Sequence, residues 1–391
     1  MHRSGTHEDY PFLSPYRAVV RRNSAEFPFS TCHFQLLIME FDRIHFYTED
    51  AAVSRDWFVS KLGFQSTTGY SNSHTHTEVV HSGNICFVLS SPLTPASPVA
   101  SWLKLHPPGI ADVGFRVKNL ELAIARAAAE GAKVLEPIQE DLKVGGSFKR
   151  AKIAGWGDLS HTLIERIGEN PLPPNSSDLP LFNNIDHVVL NVETGDLDSA
   201  VNWYQKILGF QPQQNFDIQT EKSALRSRVM VHAEGGVQLP INESASPNSQ
   251  IQEFLDANQG PGIQHMALQT DRIVGVVADL RSRGLPFLPV PSTYYSELQQ
   301  RQNYLPADWP EIADSQVLVD WQKDTPEAML LQIFTQPIFA EPTFFFEIIE
   351  RRVTLVNGKQ VQAGGFGAGN FRALFEAIER EQMKRGSLKN G

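Results

Sequence analysis

Three residues of this 391-residue chain are of the types that could together bind a transition metal. Glu347 lies in segment 343–350, a run of aromatic and branched apolar residues that predicts a buried strand. Burying an ionised carboxylate without a compensating charge is costly, so a cation or a metal is expected beside it. His187 and His265 each interrupt a short apolar segment in the same way. Two imidazoles and one carboxylate form the facial triad of non-haem iron(II) sites, which leaves coordination positions open.

Each of these residues also has an ordinary structural interpretation. A single histidine in a strand is more often a hydrogen-bonded core residue than a metal ligand. Glu347 could instead form a buried salt bridge with Arg351 or Arg352, which follow it closely in sequence. A metal site is favoured only if a repeated structure places the three residues on equivalent elements.

The sequence contains such a repeat. Its first unit is a strand followed by a helix, predicted at 39–47 and 51–61 and again at 185–190 and 197–206. In both copies a glycine, Gly63 or Gly209, is predicted to end the helix in a left-handed conformation. The second unit has the same order, at 109–115 and 120–130 and again at 262–268 and 273–283. Four strand-helix-strands modules in two pairs follow from this pattern.

The repeat predicts two domains. A proline-rich and polar run at 171–178 is typical of a linker, so we place the N-terminal domain at 39–170 and the C-terminal domain at 180–391. Segment 1–38 has no early periodic pattern and is expected to be a poorly ordered extension, with Met1 or Met39 as the natural start. Each pair of modules would curl small sheets into a half-open barrel, which predicts an α+β fold with a site inside the second barrel.

Composition excludes several classes of function. The formal net charge of −10 disfavours nucleic acid or an anionic membrane as the main partner. The two cysteines are too few for a disulfide framework and lack metal-ligand spacing. The chain has no apolar run of the ~18 residues that a membrane span needs and no signal-peptide pattern, so we expect a cytoplasmic protein.

The first pair of modules carries a weak copy of the candidate triad. His45, Asp112 and Glu165 stand roughly where the second pair has its two histidines and its glutamate. An aspartate in place of a histidine would make a poor iron site. The N-terminal barrel is therefore expected to be structural.

From residue 183 onward the sequence resembles the 4-hydroxyphenylpyruvate dioxygenase family of the vicinal-oxygen-chelate superfamily. The resemblance extends more weakly over 39–385, and it is weakest in the linker and at 136–160. No single motif is specific for this family, but seven motifs in the same order, with the triad between them, are. They lie at 223–227, 239–243, 249–252, 262–265, 291–295, 330–335 and 365–371.

This resemblance implies that His187, His265 and Glu347 hold Fe(II), with the keto acid and dioxygen at the open positions. The implied reaction converts 4-hydroxyphenylpyruvate and O2 to homogentisate and CO2 by oxidative decarboxylation, ring hydroxylation and side-chain migration. The expected partners are this small-molecule substrate, O2 and further copies of the chain in a dimer or tetramer.

The resemblance also implies a set of pocket residues, each of which alone would be taken as a structural hydrogen bonder or a core ring. Glycines at 364–370 before a predicted helix at 373–384 resemble the hinge of a lid over the site. The polar set is Ser227, Asn242, Gln250, Gln264 and Gln332. The residues expected to enclose the substrate are Phe334, Phe345, Phe366, Asn370 and Phe371.

Two alternatives stay open. The 4-hydroxymandelate synthases share the ligands and the substrate but hydroxylate the benzylic carbon; segment 240–242 and the large Phe334 favour ring hydroxylation. A metal-free small-molecule-binding protein of the same fold is the alternative of another class, and the intact triad argues against it.

Overall fold

The computed structural model describes residues 39–143, 146–168, 180–220, 222–301, 305–322, 325–356 and 358–388. The predicted extension at 1–38 and the predicted linker at 171–178 lie outside the described residues. The proposed domain boundaries therefore stay predictions.

The N-terminal half forms one curled sheet with the strand order β2-β4-β5-β1-β6-β9-β8-β7, and β3 pairs with β4. The strands are β1 (Met39–Tyr47), β2 (Gln65–Ser66), β3 (Tyr70–Ser71), β4 (Thr75–Ser82), β5 (Ile85–Pro92), β6 (Gly109–Val117), β7 (Val134–Lys143), β8 (Gly146–Ala154) and β9 (Ser160–Ile167). The helices are α1 (Ala51–Leu62), α2 (Pro98–Trp102) and α3 (Leu120–Ala129).

The C-terminal half repeats this arrangement in a second sheet, with the order β11-β12-β13-β10-β14-β17-β16-β15. Its strands are β10 (Asn184–Val192), β11 (Gln211–Gln219), β12 (Ala224–Val231), β13 (Gln238–Ser244), β14 (Gly262–Gln269), β15 (Leu318–Gln322), β16 (Thr325–Phe334) and β17 (Phe345–Arg351). The helices are α4 (Leu197–Leu208), α5 (Gln250–Asn258), α6 (Ile273–Ser282), α7 (Ser292–Arg301) and α8 (Trp309–Asp314). A hairpin of β18 (Val353–Val356) and β19 (Lys359–Gln362) precedes the terminal helix α9 (Ala368–Arg385).

The predicted α+β fold of two half-open barrels is confirmed, since each half forms one curled sheet with an equivalent strand order and has helices between its strands in sequence. The helices α1, α3, α4 and α6 begin at the predicted residues. Gly63 (φ 69°) and Gly209 (φ 78°) end α1 and α4 in the left-handed conformation, as predicted. The terminal helix begins five residues earlier than predicted, because its boundary is the left-handed Gly367 (φ 69°). Within the described ranges, no helix is both long and apolar enough to cross a membrane.

Glutamates anchor three of these helices. A carboxylate oxygen accepts a hydrogen bond from the first backbone N–H of the helix at 2.7–2.9 Å in each case, where unpaired N–H groups and the helix dipole favour an anion. The pairs are Glu165 with α3, Glu243 with α4 and Glu350 with α6.

The strand β17 is held between the two halves of the protein. Phe344 packs against Phe46 with ring centroids 5.4 Å apart, and Phe346 packs against Phe87 at 6.1 Å. Alternate residues of a strand point to opposite faces, so Glu347 faces the interior of the second barrel. The N-terminal half thus covers the back of the strand that carries the candidate ligand.

A buried histidine joins the two halves on another side. His161 of β9 is fully buried and its Nε2 lies 3.0 Å from the hydroxyl of Tyr204 in α4. Burial lowers the pKa of His161 to about 4, although a hydrogen bond with the Val113 carbonyl opposes the shift. As the pH falls, His161 of the unfolded chain therefore binds a proton near pH 6.5, whereas His161 of the folded chain does so only near pH 4.

We expect the free energy of unfolding to fall as the pH is lowered from about 6.5 towards 4, and His161→Gln to flatten this dependence. Between these pH values one such histidine contributes a slope of up to about 1.4 kcal/mol per pH unit. Its contribution to stability is complete above pH 6.5 and is lost as the pH falls. Urea denaturation of both proteins at pH 6.5 and pH 5 measures the difference. Parallel pH dependences in the two proteins would contradict the assignment.

Candidate metal centre

The structure brings the three candidate ligands together. One potential ligand atom from each of His187, His265 and Glu347 lies within 4.8 Å of the others. The Nε2 atom of His187 lies 3.3 Å, and that of His265 3.9 Å, from Oε2 of Glu347. All three residues are buried, with at most 7% of any one exposed. Their role as metal ligands stays a prediction, but the donor set and its convergence fit a divalent transition metal.

Strand pairing explains this convergence. The strands β10, β14 and β17 are consecutive in the sheet, although long segments with helices separate them in sequence. In the register of β14 and β17, Glu347 pairs with Ala267, two residues beyond His265. The side chains of alternate residues share a face, so all three candidate ligands point into the barrel.

Each histidine is held by its other ring nitrogen. Nδ1 of His187 lies 2.8 Å from a carboxylate oxygen of Asp186, and Nδ1 of His265 lies 3.3 Å from the amide oxygen of Gln264. These partners direct both Nε2 atoms towards Glu347. Metal-binding histidines are oriented by the same kind of contact.

The electrostatics of the centre favour a cation. Burial acts to lower the pKa of His187, but the carboxylates of Glu347 and Asp186 outweigh it and raise that pKa to about 9. Burial and the neighbouring His187 hold the pKa of His265 well below its usual range. The carboxylates that favour a positive charge on the His187 ring would likewise favour a divalent cation at this position.

The alternative in which Glu347 pairs with an arginine is wrong. Arg351 donates two hydrogen bonds to Asp186, at 2.6 and 2.8 Å, and Arg352 binds Asp308 and Glu350. Glu347 contacts the two histidines, and it also accepts a hydrogen bond of 2.9 Å from Nε2 of Gln332.

Several predicted pocket residues share one cavity with the ligands. The cavity has polar groups near Glu347 and apolar side chains around them, which is typical of sites that orient a small molecule. It is lined by His187, Val189, Pro240, Asn242, His265, Gln332, Phe334, Glu347, Phe366, Gly367, Asn370 and Leu374.

The remaining predicted residues are absent from the lining of this cavity, and some of them contact residues that line it. Phe345 stacks on the ring of His265 with centroids 4.8 Å apart, and Gln264 holds the same ring. Ser227 pairs with Asn242 across neighbouring strands. In the described part of the chain, the Ser227 hydroxyl and the Gln250 side-chain oxygen are buried without a hydrogen-bond partner, which a ligand or a water would supply. The side chain of Phe371 lies outside the described residues.

Sequence reasoning missed several residues at this centre. Asp186 and Arg351 hold His187 in place, and an Asp–His pair in a buried strand was the available signal. Asn191 is fully buried on β10, and its side-chain oxygen lies 3.4 Å from the amide nitrogen of Asn242. An amide inside an apolar strand is the signal that could have identified it.

The Asp186–His187 contact predicts a specific effect on metal binding. Asp186→Asn keeps the shape but removes the charge that orients the ring and raises its basicity, so we expect metal affinity to fall about 10- to 100-fold. Asp42→Asn is the matched control, since Asp42 binds Arg166 in the N-terminal half as Asp186 binds Arg351. Competition with a chelator measures the affinity, and equal losses in both variants would contradict the role of Asp186.

The predicted N-terminal copy of the triad is wrong at two positions. Asp112 pairs with His45 in β1, whereas its counterpart His265 pairs with Val189 in β10. His45 therefore corresponds to Val189, and Arg43, two residues before it, corresponds to His187.

The glutamate of the copy also has a different counterpart. Glu165 and Glu350 each anchor the helix of their own module, so these two residues are equivalent. The residue that corresponds to Glu347 is then Thr162, three positions before Glu165. Thr162 donates a hydrogen bond of 2.9 Å to Asp112.

In the N-terminal barrel a lysine lies beside Asp112, the counterpart of His265. Nζ of Lys152 is 4.0 Å from Asp112 and 3.4 Å from Glu136. Burial raises the pKa of Asp112, and the ammonium of Lys152 acts against that rise. The N-terminal barrel thus places an ammonium cation beside its buried carboxylate.

Comparisons with known proteins agree with this architecture. The family model of the glyoxalase/bleomycin resistance protein/dioxygenase superfamily matches residues 40–148 and 184–308. The 4-hydroxyphenylpyruvate dioxygenase of Yarrowia lipolytica is 35% identical over 381 residues, covering 89% of this chain and 93% of that protein. The 4-hydroxyphenylpyruvate dioxygenase of Caenorhabditis elegans is 36% identical over 378 residues, with the same coverage. A solved structure of a mutant 4-hydroxymandelate synthase from Streptomyces coelicolor superposes with a TM-score of 0.78 at 28% identity, covering 89% of this chain and all of that one.

The two paired-module barrels and the buried triad define a vicinal-oxygen-chelate protein of the dioxygenase type. Within that superfamily, the extent and identity of the match show that the chain belongs to the 4-hydroxyphenylpyruvate dioxygenase family.

Proposed function

We propose that this protein is an Fe(II)-dependent dioxygenase that converts 4-hydroxyphenylpyruvate and O2 to homogentisate and CO2. The observation that carries the proposal is the convergence of His187, His265 and Glu347 in a cavity that also contains amides and aromatic rings. The relatives named 4-hydroxyphenylpyruvate dioxygenase support it.

The protein side chains have separate tasks in this proposal. His187, His265 and Glu347 hold Fe(II), which when bound supplies the redox chemistry with O2. The Gln332 amide holds one oxygen of Glu347, so the carboxylate presents the other to the metal. Directed ligands leave open positions for a 2-oxo acid.

The far end of the substrate would be oriented by the unpartnered polar atoms. Ser227 and Gln250 have buried oxygen atoms that can accept or exchange a hydrogen bond with a phenol, and Asn242 lies on the cavity wall. Phe334 and Phe366 would enclose the aromatic ring and exclude water. Phe345 would act through the ring of His265, on which it stacks.

A second candidate reaction uses the same site. The likeness to a mutant 4-hydroxymandelate synthase favours, as the alternative, hydroxylation at the benzylic carbon of the same substrate. Only the position and orientation of the ring relative to the metal separate the two outcomes.

Oxygen uptake by the Fe(II)-loaded protein with 4-hydroxyphenylpyruvate tests the proposal. We expect one CO2 per O2 consumed and homogentisate as product. Homogentisate and 4-hydroxymandelate are isomers, so the product must be identified by proton NMR or by chromatography against both compounds. Accumulation of 4-hydroxymandelate would favour the alternative reaction. Substrate binding without oxygen uptake would instead support a binding protein.

Two further features belong to this proposal. We propose a cytoplasmic location and an assembly of two or four copies. Light scattering of the purified protein tests the assembly.

A further inference from the structure

A chain of hydrogen bonds leads from Glu347 to Tyr294 in helix α7. Tyr294 does not belong to the predicted set of site residues. Nε2 of Gln332 donates to Glu347 at 2.9 Å, and Nδ2 of Asn370 donates to Oε1 of Gln332 at 2.8 Å. The Tyr294 hydroxyl in turn lies 2.8 Å from Oδ1 of Asn370. Every link therefore has a normal hydrogen-bond length.

The carboxylate of Glu347 determines the direction of every link. An ionised carboxylate only accepts, so Gln332 must turn its NH2 group towards Glu347 and its oxygen towards Asn370. Asn370 must then turn its own NH2 group to Gln332 and its oxygen to Tyr294. The hydroxyl of Tyr294 can donate to that oxygen at 2.8 Å, which is shorter than its 3.1 Å distance to its other acceptor, the Val319 carbonyl. Burial raises the pKa of the phenol, so it keeps its proton.

The tyrosine is itself held in place. Its hydroxyl oxygen accepts a hydrogen bond of 2.9 Å from the backbone N–H of Val319, at the start of strand β15. The two amides along the chain can each rotate by half a turn about their last bond, whereas the backbone of Val319 fixes the position of the Tyr294 hydroxyl. Tyr294 is therefore the rigid end of the chain.

The chain passes through the first turn of α9. Gly367 lies so close to Gln332 that a Cβ there would overlap Oε1, and the N–H of Gly369 donates to Asp320 at 3.1 Å. Asn370 reaches Gln332 only when this turn is docked against β15 and β16. The docking of α9 and the orientation of Gln332 are therefore linked by contact.

We propose that Tyr294 is a positioning residue for the metal centre, which acts through Asn370 and Gln332 to hold the carboxylate of Glu347 in its metal-binding orientation. Without the hydroxyl, Asn370 loses the donor that defines its orientation, and Gln332 can then turn its oxygen towards Glu347. The carboxylate would lose its fixed partner and rotate. The inference rests on the metal centre of the proposed function.

Metal affinity of Tyr294→Phe tests the inference without reference to turnover. Fe(II) alone, added under anaerobic conditions, competes with a chromophoric chelator for the protein. Removing a direct partner of a ligand typically weakens binding 10- to 100-fold; for the more distant Tyr294 we expect about 3- to 10-fold.

The neighbouring residue provides a matched control. Tyr295 lies in the same helix and is buried, and its hydroxyl donates only to the Val317 carbonyl among the contacts that the structure describes. Tyr295→Phe removes the same atom and should leave Fe(II) affinity within 2-fold of wild type. Thermal denaturation of both variants identifies any loss of stability. Equal losses of affinity in the two variants would overturn the inference.

A double-mutant cycle tests the route. In a Gln332→Met background the chain is already broken, so Tyr294→Phe should change Fe(II) affinity by less than 2-fold. A full 3- to 10-fold loss in that background would overturn the inference, because Tyr294 would then act by another route. If Tyr294→Phe does not fold, Asn370→Ala interrupts the same chain and takes its place.

Failure of the inference and failure of the proposed function are distinguishable. Wild-type protein that binds no Fe(II) contradicts the proposed metal centre. If wild-type protein binds Fe(II) and Tyr294→Phe binds it equally tightly, only the role of Tyr294 is overturned.

Discussion

His187→Ala is expected to abolish both Fe(II) binding and turnover, whereas His45→Ala should keep one metal per chain and near-normal turnover. The reason is the difference between the two barrels. His187 points its Nε2 at Glu347 and is oriented by Asp186, while His45 hydrogen-bonds Ser90 at 2.8 Å. The N-terminal barrel offers Asp112, a threonine and the Lys152 ammonium, which cannot act as a facial triad.

Metal content and oxygen uptake are measured on both purified variants, with circular dichroism as the test of folding. In the wild-type protein burial lowers the pKa of His45 to about 3, so its ring is neutral. Replacing it with alanine therefore removes no charge. Loss of metal from a folded His45→Ala protein would mean that the metal site lies in the N-terminal half and not in the C-terminal half.

Glu347→Gln is the second change with a large expected effect. The substitution keeps the volume and the possibility of a hydrogen bond with Gln332, but it removes the only carboxylate of the triad. Loss of a charged ligand should exceed the loss of a partner that merely orients one, so we expect Fe(II) affinity to fall by more than about 100-fold, and turnover with it.

The same strand supplies the control for this change. Glu350 is buried three residues further along β17, and its carboxylate anchors α6. Glu350→Gln can still accept that hydrogen bond, and it should lose about 0.5–2 kcal/mol of stability while it keeps its metal. Full metal content and full turnover in Glu347→Gln would refute the triad. A comparable loss of metal in Glu350→Gln would show that burial of a charge on this strand, and not ligation, is what matters.

Local sequence signals were sufficient for the helices that begin each module. Their apolar periodicity and the glycines after them are properties of neighbouring residues, and Gly63 and Gly209 have the predicted left-handed conformation. The short helices α2 and α5 were missed, although Ser97 and Ser249 cap them through their side chains. A single capping serine before a brief apolar pattern is a weak signal on its own.

The sequence by itself determined which residues could form a metal centre and that they belong to a repeated fold, because residue type and periodicity are local properties. Only the tertiary structure decided which residues of the two halves correspond. Matching the two halves by residue type suggested His45 and Glu165. The pairing of each strand with its neighbours selects Arg43 instead, two residues earlier, and Thr162, three residues earlier. Long-range contacts such as those of Arg351 with Asp186 and of Tyr294 with Asn370 join residues that are 165 and 76 positions apart, and they exist only once the sheet and the terminal helix have packed.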